Sequence, residues 1–239
     1  MRLLVSGCSF SSGWGFESLP EKNWANQVAE QFGATLTNVA LTGYDNTGIC
    51  LNFLEQITKE DFDICLLQIT SISRVILSPN WNGCKLISKI NISNKFLSDS
   101  EYQRWFKNFV LLNQHAEHWN RLLKFVHIVQ NLSNQGKYIR FVNGLLDWDE
   151  ELFINPKESK FLNRLIDIDQ IPDSDITRLR ELVHNQTKLI DLNLWINPFN
   201  SFDQIKVDNI SDEDSHPGLK SHDLYATLIT NYLKDNTHA

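Results

Sequence analysis

The sequence is poor in the features that identify several functional classes at sight. Its four cysteines, Cys8, Cys50, Cys65 and Cys84, show no CxxC spacing, and three of them sit in apolar runs. That pattern speaks against a disulfide framework or a zinc knuckle and for a reducing compartment. Basic residues are outnumbered, 22 Lys and Arg against 29 Asp and Glu, for a net charge of −7. Such a balance disfavours a phosphate-tracking nucleic-acid binder and a polybasic membrane anchor. No apolar run approaches the length of a membrane span, and the stretch Met1–Val5 before the first glycine is too short for a signal-peptide core. The expectation is a cytoplasmic protein with no nucleic-acid or membrane partner. Phosphate loops are missing too: Gly43 and Gly48 are followed by Ile49-Cys50 where a P-loop needs Lys-Ser/Thr. Gly13-Trp14-Gly15 lacks a third glycine, with Ser18 in its place, so no dinucleotide fingerprint forms. His115 and His118 are three apart with no third ligand evident, which reads as a solvated helix face, and no metal is expected.

What is present describes a globular chain. Apolar residues make up 42% of 239, charged residues 21% and aromatics 11%, enough to build the core of one domain of ordinary size. Leu3-Leu4-Val5 is a short buried-strand signal halted at Ser6-Gly7. A helix is predicted over about 23–32 from Trp24, Val28 and Phe32, stopped by Gly33. A second strand follows at Thr35–Val39, a helix over about 47–58, and the clearest buried strand at Asp63–Gln68. A helical pattern runs over about 101–134, then a fourth strand at Tyr138–Val142. Asp175–His184 reads as helix, Lys188–Leu192 as a weaker fifth strand, and about 218–233 as the last helix. Alternating strands and helices imply an α/β fold of three layers, α/β/α, with a doubly wound, flavodoxin-like parallel sheet of about five strands. The polar stretch at about 78–100, with room for a small hairpin, and the acidic, irregular stretch at about 145–172, with some local helix, are read as insertions in a single domain spanning 1–239. No internal repeat or linker interrupts it.

Two segments at opposite ends of the chain carry chemistry. Gly7-Cys8-Ser9-Phe10 follows the first strand, and Asp214-Ser215-His216-Pro217 precedes the last helix. In an open parallel sheet both fall along the carboxyl edge, where ligands bind. A serine hydroxyl becomes a useful nucleophile when an imidazole takes its proton and a carboxylate fixes that imidazole. Ser9, His216 and Asp214 supply the three groups. Cys8, next to Ser9, reads as a buried small residue at a strand end. Trp14 follows on the same loop, where it is expected to line a substrate cleft.

These segments resemble the SGNH (GDSL-like) hydrolase superfamily. Gly7-Cys8-Ser9-Phe10 is similar to the Gly-Cys-Ser-Phe form of its first block, and Asn38-Val39-Ala40-Leu41-Thr42-Gly43, with Asn46 beyond, to its second. Asp214-Ser215-His216-Pro217 is similar to its last. The resemblance implies the SGNH fold and an ester hydrolase working through an acyl-enzyme, with Ser9 as nucleophile and His216 as general base. Asp214 is the orienting acid in this alignment, although many members place an Asp at the position of Glu213. The backbone amides of Ser9 and Gly43 would be oxyanion donors. Where the family usually has Gly-Xaa-Asn-Asp, this chain has Gln68-Ile69-Thr70-Ser71, so Thr70 stands at the third donor. Asn46 and Arg74 are expected near substrate. No cofactor is implied, and the partner would be a small-molecule or glycan ester, an O-acetylated carbohydrate first. An acyltransferase using the same residues, and a binding protein on an inactive SGNH scaffold, remain alternatives.

Overall fold

The computed structural model describes residues 1–72, 75–77, 85–87, 115–169 and 173–236. Five strands form one parallel sheet: β1 (Arg2–Ser6), β2 (Thr35–Asn38), β3 (Ile64–Ile69), β6 (Ile139–Asn143) and β7 (Trp195–Ile196), in the order β2-β1-β3-β6-β7. That is the flavodoxin-like order, with the chain winding left from β1 to β2 and then right through β3, β6 and β7. A separate antiparallel pair joins β4 (Val75–Leu77), just before the stretch where a hairpin was expected, to β5 (Lys85–Ile87) within it. The central strand β3 is buried at every residue, which explains its unbroken apolar run: helices cover both of its faces.

Local chemistry sets the helix limits. Asn23 caps α2 (Trp24–Gln31) by accepting from the Ala25 N–H, and Asp45 caps α3 (Asn46–Lys59) by accepting from the Gly48 N–H. The helix α4 (His115–Asn134) turns Trp119, Leu122, Leu123, Val126 and Val129 inward. The expected start of this helix, near residue 101, lies outside the described residues. Three helices follow β6: α5 (Glu151–Ile154), α6 (Lys160–Asp169) and α7 (Asp173–Thr187). α5 and α6 are the local helix expected within the stretch at about 145–172. The last two helices are α8 (Phe202–Ile205), closed by a capping box between Ser201 and Gln204, and α9 (Leu219–Asn236). α9 packs on α2 on one side of the sheet, while α3, α4 and α6 pack together on the other. Core residues from Leu3 to Leu233 make one contiguous cluster.

One strand differs from expectation. Lys188–Leu192 does not enter the sheet: the Lys188, Leu189 and Ile190 N–H groups bond back to the end of α7, and Leu189 is exposed. The fifth strand is Trp195–Ile196 instead, with Trp195 stacked on Phe141 at 4.7 Å and both strand residues buried. Among the described residues, no helix is long and apolar enough to cross a membrane.

Candidate active site

The carboxyl edge of the sheet is where β1 turns into α1 (Ser9–Ser12), a single turn that starts on the candidate nucleophile. One turn of helix makes few hydrogen bonds of its own, so its carbonyls must be held by other groups. They are. The Trp24 indole N–H donates to Phe10 O at 2.8 Å, and the Asn38 and Asn23 amides donate to Ser11 O at 2.7 and 3.3 Å. Asn38 belongs to the second motif block, and its side chain also accepts from the Ala40 N–H, so it ties the end of β2 to the serine turn.

Beneath this turn lies Gln68, fully buried at the end of β3. Its Oε1 accepts from Ser11 Oγ at 2.5 Å and from the Cys8 N–H at 3.3 Å, with Cys8 Sγ at 3.6 Å. Gly7 and Gly144 flank it, and a Cβ on either would lie 2.6 to 2.7 Å from the amide's polar atoms. A glutamine thus fills a slot walled by two glycines. Sequence reasoning placed Gln68 only as a departure from a motif; its load appears once β1, β3 and β6 are side by side.

The candidate acid–base loop is built from residues 208–218. Asn209 pairs with Pro217 in an isolated antiparallel bridge, and the Ile210 N–H donates to His216 O at 2.9 Å. Asp208 anchors the base of the loop, its carboxylate accepting from the Ser221 N–H at 2.8 Å and the Lys220 N–H at 3.0 Å at the start of α9. A carboxylate on these free N–H groups is favoured by both hydrogen bonding and the helix dipole.

Ser9, His216 and Asp214 come together. Ser9 Oγ lies 3.0 Å from His216 Nε2, and His216 Nδ1 lies 2.5 Å from Asp214 Oδ1. A carboxylate at Nδ1 fixes the proton there, which leaves Nε2 with its lone pair toward the serine hydroxyl. Asp214 Oδ1 also accepts from the His216 backbone N–H, and Oδ2 accepts from the Trp14 indole N–H, each at 3.0 Å. The backbone N–H of His216, with smaller help from its ring and from Trp14, outweighs partial burial and lowers the Asp214 carboxyl to about 2. The neighbouring Glu213 is exposed. Ser9 is only 3% exposed, and the Phe10 and Trp14 rings sit 6.0 and 5.9 Å from the His216 ring.

Other expected site residues fall as follows. Gly43 adopts φ +86 in a turn closed by the Tyr44 N–H on Leu41 O, a backbone that suits glycine. Its loop touches the serine segment through the Leu41 N–H on Gly7 O and the Ser12–Thr42 hydroxyl pair. Thr70 is fully buried, and its Oγ1 meets no hydrogen-bond partner. Asn46, expected near substrate, turns its amide to the Thr70 peptide: its Oδ1 accepts from the Thr70 N–H at 2.8 Å and its Nδ2 donates to Thr70 O at 2.9 Å. The amide is spent on that peptide. Trp14, expected to line a cleft, donates its indole N–H to Asp214, and its ring is exposed. Arg74 lies outside the described residues. Among the described residues no cluster of His, Cys, Asp or Glu is arranged to hold a metal ion.

No protein-family model and no curated protein matches the sequence. Solved structures do resemble the fold. The crystal structure of TesA is 14% identical with a TM-score of 0.48, covering 98% of this chain and 99% of that one. The psychrotrophic esterase EstA from Pseudoalteromonas sp., inhibited by monoethylphosphonate, is 11% identical with a TM-score of 0.49, covering 100% and 99%. The acetyl xylan esterase AlAXEase is 13% identical with a TM-score of 0.45, covering 97% and 98%. All three scores lie below 0.5, and the site is read from its own residues.

Proposed function

We propose that this chain is an SGNH-type serine ester hydrolase. One observation carries the reading: Ser9 Oγ stands 3.0 Å from the imidazole nitrogen that the Asp214 carboxylate leaves unprotonated. That is working distance for general-base catalysis. Motif order in the sequence and the position at the carboxyl edge support the same assignment.

In the proposed reaction Ser9 Oγ bonds to the ester carbonyl carbon as its proton passes to His216 Nε2, and the carbonyl π electrons move onto oxygen. The Ser9 and Gly43 N–H groups and the Thr70 hydroxyl receive the oxyanion, where preorganised donors gain most from charge that develops only in the transition state. Collapse expels the alcohol, which takes the proton from His216. Water then repeats the sequence on the acyl-enzyme and releases the acid with Ser9 restored. Asp214 keeps the imidazole in its tautomer and stabilises the transient cation. Asn46 acts behind the site, fixing the Thr70 peptide with both ends of its amide. The acyl donor is a small carboxylic ester, with an O-acetylated carbohydrate the class to assay first, on the resemblance alone.

The test is covalent. Folded protein treated with a fluorophosphonate gains one adduct by intact mass, mapped to Ser9, and Ser9→Ala gains none. Wild-type protein that stays unmodified overturns the reading.

A further inference from the structure

Asp214 sits on an exposed loop: Asp212, Glu213 and Ser215 around it all face solvent. Its Oδ1 is held from within that loop, by the His216 ring and backbone. Its Oδ2 is held from far away in sequence, by the Trp14 indole N–H. Among the described residues, Trp14 is the group outside residues 208–218 that reaches this carboxylate.

The segment bearing Trp14 is shaped for this. Gly13 closes α1 at φ +84 and Gly15 follows the indole at φ +80, so two left-handed residues flank one tryptophan. Side chains rarely accept this backbone, and the paired glycines let the chain reverse immediately after the serine turn. A methyl on Gly15 would overlap the Ile210 side chain, so the backbone here lies directly against the acid–base loop. The Trp14 ring then stands 5.9 Å from the His216 ring, tilted by 42°.

We propose that Gly13-Trp14-Gly15 is a clasp joining the nucleophile's segment to the acid–base loop, and that Trp14 is a positioning residue for Asp214. This rests on the ester-hydrolase reading for its catalytic consequence, although the clasp itself does not. Holding both carboxylate oxygens fixes its plane against the imidazole, whereas Oδ1 alone, held from within its own loop, leaves the carboxylate free to turn about that contact. The indole also stands beside a partly exposed carboxylate–imidazole pair, where a ring that keeps water away strengthens the pair.

Trp14→Phe keeps a ring in place and removes the N–H. With p-nitrophenyl acetate as probe, this variant lowers kcat about tenfold with KM within about twofold, the pattern of misaligned catalytic groups rather than lost binding. Thermal melts monitor its folding. Kinetics of Trp14→Phe equal to wild type, or Trp14→Ala raising KM alone, would make the ring a substrate wall and overturn the proposal. A second arm needs no turnover: the Trp14 indole resonance in a 1H–15N spectrum, assigned by its loss in Trp14→Phe, shifts on Asp214→Ala. An unmoved resonance also overturns the clasp. Failure of Ser9 to take a fluorophosphonate would instead sink the hydrolase reading and leave the resonance shift intact.

Discussion

At the scale of single residues, the most informative atom is Thr70 Oγ1, buried without a hydrogen-bond partner. A buried hydroxyl left unpaired ordinarily costs about 1–3 kcal/mol, and such exceptions mark strained or functional positions. Neighbouring polar groups of the same residue are fully paired, since Asn46 takes both the Thr70 N–H and its carbonyl. The hydroxyl is the one polar group of Thr70 left for the oxyanion contact of the proposed mechanism. Thr70→Val keeps the shape and removes the oxygen. The expected outcome is a melting temperature equal to or above wild type together with a loss of turnover of about 10²–10³, as for one missing oxyanion donor. Thermal melts and initial rates decide it. Unchanged kcat would leave an oxyanion hole of backbone donors only. The same scale favours Asp214 over Glu213 as the acid of the proposed mechanism. Position 214 lets one carboxylate oxygen meet both the backbone and the ring of His216, two residues on, while Glu213 points to solvent.

Among elements, the junction of β1 with α1 is governed by space. Gly7 needs no unusual backbone; it needs to lack a side chain, because a Cβ would lie 2.6 Å from both Gln68 Oε1 and Ser11 Oγ. Gly7→Ala is expected to cost about 1–3 kcal/mol in urea denaturation, the usual range for overpacking. Shortening the partner should relieve it, so Gly7→Ala in a Gln68→Ala background costs less by about 1 kcal/mol, a coupling typical of residues in contact. Additive losses would show that Gln68 is not what Gly7 makes room for. Legibility in the sequence follows the same physics. β1, β3 and β6 are apolar runs because helices bury both of their faces, and Ser9, Gly43 and the Asp214–His216 pair sit at turns that only certain residues can make. β7 is two residues long and carries no period, so the more hydrophobic-looking Lys188–Leu192 took its place although its N–H groups close α7. Long-range pairings such as Gln68 with Ser11, or Trp14 with Asp214 across 200 positions, have no local pattern at all.

Across the whole molecule, the site exists because the two ends of the chain meet, and the packing of α9 on α2 joins them. His222, at 2% exposure, is central to that contact: its Nδ1 accepts the Trp24 N–H, a donor at the start of α2 that has no intrahelical partner. Gln27 adds a side-chain bond to Asp223 one residue on. Accepting at Nδ1 requires that nitrogen to be unprotonated, so the junction needs a neutral imidazole. Burial lowers the His222 pKa to about 4, against the attraction of Asp208 and Asp223, which favours the cation. The Phe16 and Tyr225 rings beside it offer no charge to offset that burial at ordinary pH. The sign follows. Between the unfolded value of about 6.5 and the folded value, the unfolded chain holds a proton that the native state lacks, so stability rises with pH across this window. The contribution is complete above the unfolded pKa and is lost as pH falls toward about 4. A shift of this size corresponds to roughly 3 kcal/mol. His222→Gln offers an acceptor to the Trp24 N–H without titrating. Urea denaturation of both proteins at pH 7.5 and pH 4.5 should therefore find wild type losing roughly 2–3 kcal/mol more than His222→Gln over that interval. Equal losses would mean that His222 enters the native state charged, and that the acid sensitivity of the α2–α9 junction arises elsewhere.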